Sequence, residues 1–139
     1  MSPHADGLIS LSLRISTPLD TADLSRRLGL KSKRVRSPGR DGLNYWCGEM
    51  EDKTEVHSID LCDLLSEWIQ KLESKADVFD ETLQRGGRVT LVLGMFVQRN
   101  VGFQFSPDEI SALAKLQVGF ICEVYPPRVE VNSSVPSTR

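Results

Sequence analysis

The chain has 139 residues, 40% of them hydrophobic and 26% charged, with a formal net charge of -2. Single domains run to roughly 100–200 residues, and a core of this size needs neither disulfides nor metal. The composition excludes wholesale disorder and a coiled coil, and the near-neutral balance removes any global electrostatic case for nucleic acid or membrane.

Residues 1–7 read as a disordered polar tail. From Leu8 to Ser16, Leu11, Leu13 and Ile15 alternate with Ser10, Ser12, Arg14 and Ser16, the period of a half-buried strand. A helix follows. Asp20 is its N-cap, Asp23 stands at N3, Leu19 and Leu24 form a hydrophobic staple, and Gly29 marks the stop. Lys31 to Leu43 has no periodicity and reads as a loop. Asn44 to Met50, with Tyr45, Trp46 and Cys47, reads as a short strand, and Glu51 to Glu55 as a charged connector.

Ser58 to Lys75 carries the clearest helical stripe: Leu61, Leu64, Leu65, Trp68, Ile69 and Leu72 at the spacing of one buried face. Ala76 to Gln84 reads as a short helical turn closed by Gly86-Gly87. Arg88 to Gln98 reads as a long central strand, joined through Arg99-Asn100 to a partner strand, Val101 to Phe105. Ser106, Pro107 and Glu109 are a helix start with a capping box, and Phe105 and Ile110 a second staple. Ile110, Leu113, Ala114 and Leu116 are its expected buried face. Val118 to Tyr125 is the last strand, with Phe120, Cys122 and Val124 on one face, and 126–139 reads as a mobile tail.

The expectation is one α+β domain over 8–125, in the order β-α-β-α-β-β-α-β. It has a mixed or antiparallel sheet and helices on one face. The two strand–helix starts share cap, staple and spacing, which suggests a ferredoxin-like internal duplication. The charge is unevenly spread. Arg26, Arg27, Lys31, Lys33, Arg34, Arg36 and Arg40 form a basic segment without an acid, whereas 41–81 has twelve carboxylates against Lys53, Lys71 and Lys75.

Cys47, Cys62 and Cys122 are too scattered for a disulfide framework and read as small buried hydrophobes. His57 with Cys47 and Cys62 lacks structural-zinc spacing, and Gly86-Gly87 lacks the Lys-Ser/Thr of a phosphate loop. No run approaches the roughly 20 apolar residues of a membrane span. The N-terminus lacks the positive region of a signal peptide, so the cytoplasm is the expected location.

Leu28-Gly29-Leu30 followed by a basic loop, the Trp46 strand, the Asp60–Leu72 helix and Gly119-Phe120-Ile121-Cys122-Glu123-Val124-Tyr125 together carry a resemblance. The chain resembles the bacterial family catalogued as domain of unknown function 4279, over roughly Leu8 to Tyr125. A loop proline common after the first helix in that family is replaced here by Lys31-Ser32-Lys33. The resemblance implies a fold and an immunity-type role for some members, and transfers no catalytic residue.

The functional expectation is a non-enzymatic module, without cofactor or metal, that binds an unknown protein partner. The alternative is a nucleic-acid-binding module acting through 26–40. A homodimer is left open, because open sheets have edges to cover.

Overall fold

From Gly7 to Thr17 every odd-numbered residue is buried and every even one is partly exposed, so one face of this strand meets a core and the other does not. In the computed structural model, which describes residues 6–36, 38–97 and 99–126, this strand is β1. It is followed by α1 (Thr21–Leu28), β2 (Lys31–Arg36), β3 (Asn44–Val56), α2 (Ser58–Glu73), α3 (Ala76–Gln84), β4 (Arg88–Val97), α4 (Pro107–Leu116) and β5 (Val118–Tyr125).

The strands form one sheet in the order β2-β3-β1-β4-β5. β1 pairs antiparallel with β3 and β4, and β2 antiparallel with β3. β5 runs parallel to β4. In the first four strands β3 inserts between β1 and β2, and β1 between β3 and β4. These are the two interlocked split βαβ units of a ferredoxin-like sheet, and α4–β5 adds one strand beside β4. The two units are therefore β1–α1–β2 and β3–α2–α3–β4, not the pair of starts matched in the sequence, since α4 lies outside them and Val101 to Phe105 forms no strand. The expected α+β class with a mixed sheet is the observed one.

The core lies between one sheet face and the helices. Ile9, Leu11, Leu13, Ile15, Trp46, Leu91 and Leu93 come from the sheet, Leu24 and Leu28 from α1, and Leu61, Leu65, Ile69 and Leu72 from α2. Val78 and Phe79 come from α3, and Ala112, Leu113 and Leu116 from α4. The α2 stripe is buried as its spacing requires. Asp20 caps α1 by accepting from the Ala22 amide, and Gly29 ends it in the left-handed region at φ 66°, where a Cβ is costly.

Several segments differ from the sequence expectation. The loop expected over Lys31 to Leu43 contains β2, an edge strand with charged residues on both faces and therefore no burial period to detect. The connector at 51–55 continues β3 to Val56, because its backbone pairs with β1 as far as Gly7. The turn at 76–84 is a nine-residue helix. Val101 to Phe105 keeps its alternation, with Val101, Phe103 and Phe105 packed against the core, but has no ladder. Gly7 belongs to β1 rather than to the tail, and the Asp6 amide donates to the Val56 carbonyl; of the expected tails, 1–5 and 127–139 lie outside the described residues.

The buried stripe of α4 is also rotated. Ala112, Leu113 and Leu116 are inside, whereas Ile110 is 56% exposed and Ala114 is exposed. The stripe runs 109-112-113-116, and its first member is the polar Glu109. Glu109 belongs there because it closes the capping box with Ser106 and accepts the Ser66 hydroxyl of α2. Burial alone would raise the Glu109 pKa. The Ser66 hydroxyl and the Ser106 amide and hydroxyl outweigh it and hold the carboxyl below its ordinary value.

A carboxyl depressed on folding stabilises the fold above its unfolded pKa, and loses that contribution as pH falls through the folded value. Glu109→Gln should therefore lower the urea midpoint at pH 7 and leave it little changed at a pH below the folded value. An equal loss at both pH values would contradict this role.

Candidate functional site

The seven basic residues singled out from the sequence do not form one patch. Arg26 and Arg27 lie in the last turn of α1. Arg26 pairs with Asp23, and Arg27 with Glu81 at 2.8 Å, so both serve the helix layer. Arg40 lies in the turn before β3. Lys31, Lys33, Arg34 and Arg36 are on β2, at the edge of the sheet and opposite the helices.

No described helix covers that face, and the register shows what it carries. Arg34 of β2, Cys47 of β3, Arg14 of β1, Thr90 of β4 and Gly119 of β5 form one row across all five strands. Arg36, Tyr45, Ser16 and Arg88 form the next row, and Lys31, Glu49, Ser12, Val92 and Ile121 the row on the other side. Toward the far end of β5, Phe96 and Tyr125 stack with centroids 4.5 Å apart and planes at 6°. The centre of the face carries the small residues Ser10, Ser12, Ser16, Thr90 and Gly94 around Arg14 and Val92. It is rimmed by cations along β2 and by aromatic and aliphatic groups along β5.

A β-bulge shapes the basic rim. Ser32 pairs with Gly48 and Arg34 with Cys47, so two steps along β2 match one along β3. Lys33 is the extra residue. Bulges re-aim side chains and are concentrated at sheet edges. Without this one, Lys31 and Arg34 would face opposite sides of the sheet.

Next to the bulge lies a depression of about 100 Å³ lined by Ser12, Arg14, Lys33, Arg34, Tyr45 and Cys47. The Arg36 guanidinium sits 4.5 Å over the Tyr45 ring. The Tyr45 phenol is held above its ordinary pKa, by burial first and then by Cys47, with Arg14 and Arg34 pulling the other way. Arg14 also reaches Glu123 at 3.5 Å, both side chains being partly exposed. Among the described residues, no carboxylate forms an ion pair with Lys33 or Arg34.

The groups weighed for chemistry lie apart. His57 precedes α2, ten residues along the chain from Cys47, or roughly 30 Å of strand. Cys62 is on α2 and its sulfur accepts the Gln104 amide, while Cys122 is exposed on β5. Cys122 is therefore not the buried small hydrophobe expected. Phe120, Cys122 and Val124 do share one face of β5, but Phe120 packs against the core whereas Val124 is 63% exposed, because β5 is an edge strand. Among the described residues, no three His, Cys, Asp or Glu side chains are grouped to hold a metal ion. Three larger depressions are open seams between elements of the helix layer, lined in part by Asp77 and Lys115, by Leu30 and Trp68, and by Gln70 and Asp108.

Sequence reasoning missed Arg14 and Arg88 as members of the site. Arg14 had been placed on the polar face of the first strand, but nothing in the chain order indicates that β2 lies two strands away on the same surface.

Fold and surface together define an α+β domain with a ferredoxin-like sheet, helices on one side and, on the other, a partly basic face that no described helix covers. Comparison with protein-family models, curated proteins and solved structures gave no match to this chain. Among the described residues, no helix is long and apolar enough to cross a membrane.

Proposed function

We propose that this domain is a non-enzymatic binding module whose partly basic sheet face receives an acidic segment of a partner protein. One observation carries the reading. Lys33 and Arg34 stand on the β2 rim without a carboxylate partner among the described residues, beside the small residues at the centre of the face. Unmatched charge on one side of a flat face favours a partner of opposite sign and speeds its encounter. The resemblance to domain of unknown function 4279, some of whose members look like antitoxin-type or immunity partners by gene context, agrees with a binding role and adds no residue to it.

An acidic protein segment suits the face better than nucleic acid. Single-strand binders offer free rings on which bases stack. Here Tyr45 is covered by Arg36, and Phe96 and Tyr125 cover one another. Glu49 and Glu123 stand on the same face and would repel a phosphate chain carrying one charge per about 1.7 Å of duplex axis. A protein segment can place neutral side chains over them.

Fluorescence anisotropy with a labelled acidic peptide of alternating Glu and Ser and a labelled single-stranded oligonucleotide tests this. The peptide should bind saturably, more weakly as salt rises, and Arg34→Glu should weaken it by about tenfold, or about 1.4 kcal/mol. No saturable peptide binding at low salt would overturn the proposal. Tighter binding of the oligonucleotide would transfer the face to the nucleic-acid reading.

A further inference from the structure

The bulged corner of the face is more specific than a basic surface. A regular strand sends consecutive side chains to opposite faces, yet Lys33 and Arg34 both line the depression. The extra residue in β2 is what puts two neighbouring cations on one side. Across the same row, Arg34 and Arg14 flank Cys47. Adjacent strands are about 4.8 Å apart, so these two arginines rise from backbones about 10 Å apart with only a thiol between them. Long side chains on either side of a short floor residue reach the space above it, Arg34 from the β2 side and Arg14 on release from Glu123, which holds it toward β5. Ser12 and Tyr45 add hydroxyl groups to the walls.

We propose that this depression is an oxyanion subsite. Arg14, Lys33 and Arg34, with the hydroxyls of Ser12 and Tyr45, hold a carboxylate or phosphoryl group carried by the partner segment. The proposal rests on the reading of this face as the contact surface and names the group recognised there. Size supports the class of ligand. About 100 Å³ is the share of about three water molecules, enough for one oxyanion and well below the roughly 300 Å³ at which pockets for whole small molecules begin. The chemistry supports it too, because arginine forks match planar and tetrahedral oxyanions by paired hydrogen bonds. Glu123 is the built-in competitor, since it holds Arg14 from the β5 side at 3.5 Å.

The test is an amide-resolved NMR titration with inorganic phosphate and, separately, acetate, against chloride at constant ionic strength. Saturable shifts are expected at the amides of Ser12, Arg34 and Cys47. Arg34→Gln should weaken binding by about tenfold, the effect of losing one charge-assisted hydrogen-bonding group. Glu123→Gln, which frees Arg14, should strengthen binding. Arg40→Gln, which removes the same charge outside the depression, should leave it within about twofold, the range of screened surface charge.

No saturable shift, or an equal loss in Arg34→Gln and Arg40→Gln, overturns the subsite. Phosphate binding much tighter than acetate assigns a phosphorylated partner; comparable binding assigns acidic side chains. If the acidic Glu-Ser peptide binds while neither small anion does, the subsite falls and the binding face stands. If the anions bind and the peptide does not, the subsite stands and the proposed partner falls.

Discussion

Truncating Trp46 to alanine should lower the free energy of unfolding by about 3–5 kcal/mol, the cost of removing a buried aromatic side chain. Trp46 is fully buried near the start of β3. Its ring lies over Gly48, two residues along the same face, so closely that a Cβ on Gly48 would stand 2.1 Å from the ring's edge. Its indole N–H donates to the Ser25 hydroxyl of α1 at 2.8 Å.

The residue therefore does two things at once: it fills the layer between sheet and α1, and it ties α1 to β3. Alanine leaves a void below the helix and the Ser25 hydroxyl without its donor. Domains are stable by only about 5–15 kcal/mol, so the variant should be close to unfolding. Urea denaturation followed by circular dichroism measures the loss. A decrease under about 1 kcal/mol would show that the ring is not packed as described. The reciprocal change, Gly48→Ala, should cost about 1–3 kcal/mol through overpacking.

The second large effect is expected at Gly87, and its neighbour supplies the control. A Cβ on Gly87 would meet the Ser16 carbonyl oxygen at 2.4 Å, the Thr82 methyl at 2.5 Å and the Thr82 carbonyl oxygen at 2.9 Å. Two of the three are backbone atoms that cannot turn aside. They belong to the junction where α3 meets the end of β1, closed by the buried Thr17 and Thr82 hydroxyls 3.3 Å apart and by the Gly87 amide donating to Thr82. Gly87→Ala must spread that junction, at about 2–3 kcal/mol, the upper part of the usual overpacking range.

Gly86 differs in kind. It has open space around a would-be Cβ but sits at φ 85°, so Gly86→Ala pays only a left-handed backbone penalty of about 1–2 kcal/mol. Thermal melts of the two variants should rank Gly87→Ala as the less stable. The reverse order would mean that the α3–β1 junction is looser than its distances indicate.

Legibility in the sequence followed the range of the forces involved. The α1 and α4 starts were readable because a cap, a staple and a stop act within one or two turns, and Asp20, Gly29, Ser106 and Glu109 act as their positions require. The rotation of α4 was misread for an instructive reason. Glu109 occupies the inner stripe through a hydrogen bond to Ser66, 43 residues away, and a polar residue on that stripe directs a hydrophobicity pattern to Ile110 instead. The alternation that places Phe120, Cys122 and Val124 on one face of β5 is real, but no described helix covers Val124, which is 63% exposed.

By itself the sequence determined the α+β class, the one-sided burial of β1, the helix punctuation and the existence of a basic segment, all properties of near neighbours along the chain. Only the tertiary structure decided which of those bases act together. Arg26 and Arg27 go to the helix layer, while Arg14 arrives from the first strand and Lys33 is turned onto the open face by a bulge. Strand order and register bring residues twenty positions apart within one strand spacing of a shared neighbour. An edge strand exposed on both faces leaves no hydrophobic period in the sequence from which that meeting could be read.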